Sequence, residues 1–277
     1  RFEGRQMGRI VSLILIFFIL VPAVAPTIGN LIMLVSDWRR IFGFMFLLGS
    51  SGLIWLFFRQ KETLAKEHRR DFSLAAFKSG IIETIKSPIA RGYTIANGLM
   101  FGAFVGYLTT AQQTLQIQYD LGDQFAYFFG FLALAIGVAS FTNAKLVIKW
   151  GMEKLCTIAL IAIVGISALF FIYCQIHDGQ PPLAALMTYL SFTFFCMGFL
   201  FGNFGSLAIQ PLGHIAGLAN SIIASFSTFL SVLIGSYVGS KYVGTVNPLV
   251  AGFLICGIMA LMMTIRTIKI ARLEFPQ

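Results

Sequence analysis

Seventeen of the twenty Lys and Arg residues fall on one side of a series of apolar stretches, and that asymmetry fixes what this chain can become. The charge-free runs cover roughly 10–36, 41–58, 92–119, 124–144, 155–177, 179–240 and 242–265. A helix needs about 20 apolar residues to cross the hydrocarbon core of a bilayer. The run 179–240 is three times that length, and Gln210-Pro211-Leu212-Gly213-His214 is a natural break inside it, so the chain reads as eight spans. With Arg1 on the cytoplasmic side, alternate connections hold Arg1, Arg5 and Arg9, the basic stretch from Arg59 to Arg91, Lys145, Lys149 and Lys154, and finally Arg266, Lys269 and Arg272. The opposite side holds only Arg39, Arg40 and Lys241. Cationic flanks stay cytoplasmic during insertion, so both termini of this chain are expected inside. A net charge of +9 can also mark a nucleic-acid binder. Here the charges flank spans instead of gathering on one face of a soluble fold, and no nucleic-acid partner is expected.

Composition agrees with an all-α transmembrane protein. Hydrophobic residues make up 57% and charged residues 11%, against about 45–50% and 25% in soluble domains. The four cysteines, Cys156, Cys174, Cys196 and Cys256, lie in or at the ends of spans with no CxxC pair. They read as small buried hydrophobes, not as a disulfide or metal framework. His68, His177 and His214 are far apart and form no HExxH-like pair, so neither a metal, a cofactor nor an enzymatic centre is expected. A channel is disfavoured too, because no filter-like loop interrupts the spans. The chain opens on Arg, directly on a basic segment leading into a span, and reads as a piece of something longer.

Two spans come first (residues 1–59), then a charged connection (60–91), six more spans (92–266) and a short tail (267–277). Within the connection, Leu74, Phe77, Ile81 and Ile85 recur at helical spacing between Lys78, Glu83 and Lys86. That pattern predicts an amphipathic helix at the membrane interface, ended by Pro88. Small residues repeat every four: Gly98, Gly102 and Gly106; Gly198 and Gly202; Gly235 and Gly239. In lipid, close backbone approach through such ridges drives helix packing.

Three segments carry a family resemblance. RFEGRQMGRIVSLILIFFILVPAVAPTIG (residues 1–29) resembles the start of the fifth helix in drug:proton antiporters of the major facilitator superfamily, the bicyclomycin and chloramphenicol resistance type being the nearest branch. Pro26 and Gly29 match the end of its Gly-Pro-x-x-Gly motif, while Ala25, Val21 and Ser12 stand at glycine positions. QPLGHIAGLANS (210–221) is similar to the segment joining helices ten and eleven, and NAKLVIKWGMEKL (143–155) to a degenerate form of the loop after helix eight. The resemblance implies a major facilitator fold with eight of twelve helices present, two from the N-terminal half and six of the C-terminal half. It also implies a monomeric protein of the bacterial inner membrane. Helices one to four, and the carboxylate that couples to protons, would then lie outside this sequence; no Asp or Glu falls inside a span here.

Hinge and gate candidates follow from residue type. Pro22 and Pro26 each remove a backbone donor, and Gly29 permits close approach. Pro211 and Gly213 shape the turn that carries His214, read as a capping or headgroup-contacting residue or, alternatively, a proton sensor. Lys145 and Lys149 sit one turn apart, as topology signals or as a gating pair. The third span matches helix seven of the family, which lines the central cavity. On it Asn97, Phe101, Phe104 and Tyr107 share a face, with Gln112 beyond them, and Asn203 on a later span is a lesser candidate. An aromatic wall with a few neutral polar groups suits apolar or weakly cationic drug-like molecules. The sequence therefore predicts export of such molecules in exchange for protons by alternating access. The alternative is a carrier of the same fold for a metabolite such as a sugar, an amino acid or a siderophore-like molecule.

Overall fold

The computed structural model describes residues 24–25, 27–60 and 74–274. Every regular element among them is helical. Helix α1 covers 27–35, followed by α2 (Arg39–Arg59), α3 (Leu74–Lys86), α4 (Pro88–Ala111), α5 (Phe125–Trp150), α6 (Met152–Ile176), α7 (Leu183–Ile209), α8 (Ala216–Ser240) and α9 (Asn247–Glu274). Among the described residues, five continuous helical stretches are long and apolar enough to span a membrane, one of them Leu183–Ser240, which runs through α7 and α8. The short 3-10 turn Gln210–Ile215 breaks that stretch, with Leu212 at φ −116° and ψ 27°. This is the break that Pro211 and Gly213 predict. The anticipated hinge prolines Pro22 and Pro26 lie outside the described residues, as does 61–73 of the connection.

Helix α4 falls outside the five apolar stretches because it is rich in glycine and threonine. It does not need a lipid-facing surface: it lies against α7, α8 and α9, and Ala90, Ala96 and Met100 are fully buried. The Ser87 hydroxyl accepts a hydrogen bond from the Ala90 amide at 3.3 Å, and Pro88 takes the first helical position, where its missing N–H costs nothing. The span thus starts four residues before 92. At the other end of the chain, α9 continues through Glu274 instead of ending near 266. Thr267, 2% exposed, sits against Gly92 of α4, so packing extends the helix into the expected tail.

The glycine ridges explain how closely α4 and α8 approach. A Cβ placed on Gly98, Gly102 or Gly106 would come within 2.9, 2.7 and 2.9 Å of Leu230, Ile234 and Val238. Reciprocally, a Cβ on Gly235 would lie 3.0 Å from the Gly106 amide nitrogen, and one on Gly239 2.6 Å from the Thr109 hydroxyl. The Ser227 hydroxyl crosses the seam to the Thr94 carbonyl at 3.2 Å. Gly198 meets α5 at Ala139 and the Ile136 carbonyl, whereas Gly202 faces nothing within 4 Å and belongs to no ridge. Substituting Gly102→Val is expected to destabilise the protein by about 1–3 kcal/mol through overpacking, read as a lower thermal midpoint in detergent.

At one end of the bundle the connections are short and tied together. A single residue, Gly151, separates α5 from α6, at φ 76° and ψ 156°. That backbone region is essentially reserved for glycine. Nothing lies within 4 Å of a Cβ placed there, so any penalty comes from the backbone alone. Gly151→Ala is expected to lower stability by about 1–3 kcal/mol, and an unchanged thermal midpoint would refute this strain. At the opposite end, α4 loosens into a π-helical segment, Gln112–Gln118. The Tyr242 hydroxyl there donates to the Gln113 carbonyl at 3.1 Å, and Tyr119 donates to the Pro181 carbonyl at 2.6 Å.

Helix α3 forms where the sequence predicts an amphipathic helix. It meets α8 with Gly80 against Leu218, and Gly80 and Thr84 are both buried, while Leu74, Phe77 and Ile85 stay exposed. Helix α2 buries no residue; Phe46, Leu47, Phe57 and Phe58 are all more than two-thirds exposed.

Candidate functional site

Four helices line an open cavity of about 520 Å³, within the range of about 300–1,000 Å³ usual for small-molecule sites. Helix α4 contributes Asn97, Phe101, Phe104 and Tyr107, the stripe predicted from three- and four-residue spacing. Across from it stand Phe129 and Ser140 of α5, Phe194 and Phe201 of α7, and Ser227 and Thr228 of α8. The aromatic side chains form one connected cluster. Phe201 meets Phe101 edge-on, with ring centroids 5.6 Å apart, and meets Phe104 at the same separation. Phe194 meets Tyr107 edge-on at 4.8 Å, and Phe129 stacks on Tyr107 at 6.0 Å. Such pairs contribute about 0.5–1.5 kcal/mol each beyond area burial, so the wall is preorganised.

No charged side chain lines the cavity among the described residues. Its polar groups are few and mostly engaged. The Ser140 hydroxyl donates to the Ile136 carbonyl at 2.9 Å, and Ser227 is held by Thr94. Tyr107 is 2% exposed, and its hydroxyl has no hydrogen-bond partner among the described residues. Asn97, by contrast, is partly exposed.

Two predicted wall residues stand elsewhere. Gln112 belongs to the π-helical segment, is exposed, and donates to Gln116 at 3.1 Å. Asn203 is 4% exposed and forms a reciprocal amide pair with Asn143 of α5, at 2.8 and 3.3 Å. That pair clamps α5 to α7 without lining the cavity. Phe129, Phe194 and Phe201 were the wall residues not singled out. Their signals were present: Phe194 and Phe201 are seven residues apart, and Phe129, Ala133 and Gly137 step by four, with small residues opening the wall.

The proposed gating residues gather near the short-loop end. Lys145 and Lys149 are exposed on the last turns of α5, and the Lys145 ammonium rests 4.7 Å from the Phe141 ring centroid. Pro211 and Gly213 lie in the turn between α7 and α8, where the His214 Nε2 reaches Glu83 of α3 at 2.8 Å. This contact is well exposed to solvent, and such pairs contribute little stability. Tyr93 donates to Glu153 at 3.2 Å, joining the start of α4 to the start of α6. Gly29 in α1 has nothing within 4 Å of a Cβ placed on it.

Residues 1–236 match the Major Facilitator Superfamily. The chain belongs to that superfamily. Its superfamily relatives are transporters, not enzymes. They include a bicyclomycin resistance protein homolog from Haemophilus influenzae, 30% identical over 90% of this chain and 62% of the relative. An uncharacterised transporter of the superfamily from Bacillus subtilis is 26% identical over 86% of this chain and 59% of its own length. A multidrug resistance protein from Shewanella sp. (strain ANA-3) is 25% identical over 90% of this chain and 62% of its own. The chain therefore spans about 60% of the length of these relatives. No solved structure matches it significantly.

The unmet Tyr107 hydroxyl has a measurable consequence. An unsatisfied buried polar group costs about 1–3 kcal/mol, so Tyr107→Phe is expected to raise the thermal midpoint in detergent. A drop would mean that the hydroxyl is satisfied in the protein.

Proposed function

We propose that this chain forms most of a proton-driven exporter of drug-like small molecules, working by alternating access, with both termini of this chain on the cytoplasmic side. The observation that carries this reading is the aromatic cavity, large enough for a drug and lined by no charged side chain among the described residues, in a chain whose relatives include drug-resistance proteins. A contact-driven site of this kind accepts ligands by area and ring stacking, which favours breadth over a single shape. Major facilitator halves rock about a central site, and α4, α5, α7 and α8 provide one wall of it. Coupling to protons needs a titratable group that these spans do not offer, so the greater length of the relatives is where a coupling carboxylate belongs. The protein is proposed to act as a monomer within a bacterial inner membrane.

The test is transport by the natural protein in inverted membrane vesicles, with the uncharged drug bicyclomycin as substrate. Accumulation is expected to require an imposed proton gradient and to collapse with a protonophore. Phe104→Ala, which removes the ring touching Phe101, Tyr107, Phe194 and Phe201, is expected to cut transport at least about tenfold, the loss of several aromatic contacts. Accumulation that ignores the gradient would sink the antiport. Movement of a sugar or amino acid with no drug transport would favour a metabolite carrier.

A further inference from the structure

The cavity wall is not uniform along α4, and the difference indicates how a ligand lies in it. Asn97 stands one turn from Phe101 toward the α3 end, about 6 Å along the helix axis, and Phe101 to Tyr107 extends the aromatic plateau by about 9 Å more. Of the polar groups on the wall, the Ser140 and Ser227 hydroxyls are committed to backbone carbonyls, and the Tyr107 hydroxyl is sealed within the aromatic cluster. The Asn97 amide and the Thr228 hydroxyl of α8 remain for a ligand, both solvent-accessible in the cavity wall. An amide both donates and accepts, and it carries no charge. Among the described residues, a permanent cation against this wall would find ring faces but no counter-ion, and desolvating an unpaired charge is expensive.

We infer that the wall selects an uncharged amphiphile and holds it in one orientation. The ligand's hydrogen-bonding group lies at Asn97 and its flat apolar body against Phe101, Phe104 and Phe201. This rests on the reading of the cavity as the drug site and adds the specificity-determining residue. Asn97 serves as the polar end-stop, and the aromatic plateau beyond it accepts about one fused ring system.

Three naphthalenes of nearly equal size test it: 2-acetylnaphthalene, 2-isopropenylnaphthalene and the trimethyl(2-naphthyl)ammonium cation. Binding is measured to the natural protein in nanodiscs, with empty nanodiscs as the blank. The ketone is expected to bind about 3- to 10-fold more tightly than the hydrocarbon, the effect of one hydrogen bond, and also more tightly than the cation. Asn97→Leu is expected to bring ketone and hydrocarbon to equal affinity. The infrared carbonyl band of the bound ketone is expected at lower frequency in the wild type than in the variant. An unshifted band in the wild type overturns the inference without reliance on the variant. So does a ketone preference that survives Asn97→Leu, or tighter binding of the cation than of the ketone. If the wild type binds both neutral probes equally, the cavity stands as a drug site and the orientation fails. If it binds none of the three, the proposed function of the cavity fails with it.

Discussion

Everything in this bundle depends on how near α4 and α8 come to each other. In lipid, apolar surface gains nothing by leaving one hydrocarbon environment for another, so association relies on dispersion and on hydrogen bonds between helices. Dispersion falls steeply with separation, and three glycines on α4 interlocked with two on α8 let the backbones approach far enough for it to matter. The aromatic residues of α4 lie off the glycine seam and look onto the cavity, which α8 also lines through Ser227 and Thr228.

Polar contacts inside the bundle are neutral. Asn143 pairs with Asn203, Ser167 with Tyr189 at 3.0 Å, and Ser227 with a carbonyl across the seam. Contacts that involve a carboxylate, Tyr93 with Glu153 and Glu83 with His214, lie among the described residues at helix starts and turns and not in the middle of the bundle. This division fits a protein that must move. Breaking a neutral pair in a dry interior is a modest loss, whereas stranding a charge there is a large one.

Helical periodicity made much of this visible in the residues. The break at Pro211–Gly213, the α4 stripe and two of the three glycine ridges depend only on spacing along one helix, which the sequence carries directly. What was missed depends on a partner or on altered winding. Asn203 looked like a cavity residue because Asn143 is sixty positions away and its orientation cannot be read from either site alone. Gln112 was placed by extending the register of α4, and the register changes where the helix widens past Ala111. Gly202 repeats four residues after Gly198, yet only the first meets a neighbour. A repeat of small residues shows where contact is permitted, not where it occurs.

The one-residue link between α5 and α6 bears on how the protein is made. With only Gly151 between them, α5 and α6 have no slack at that end, so neither can shift along its axis without carrying the adjoining end of the other. Lys145, Lys149 and Lys154 flank the turn, and a cationic flank is what holds a loop on one side of a bilayer as the spans insert.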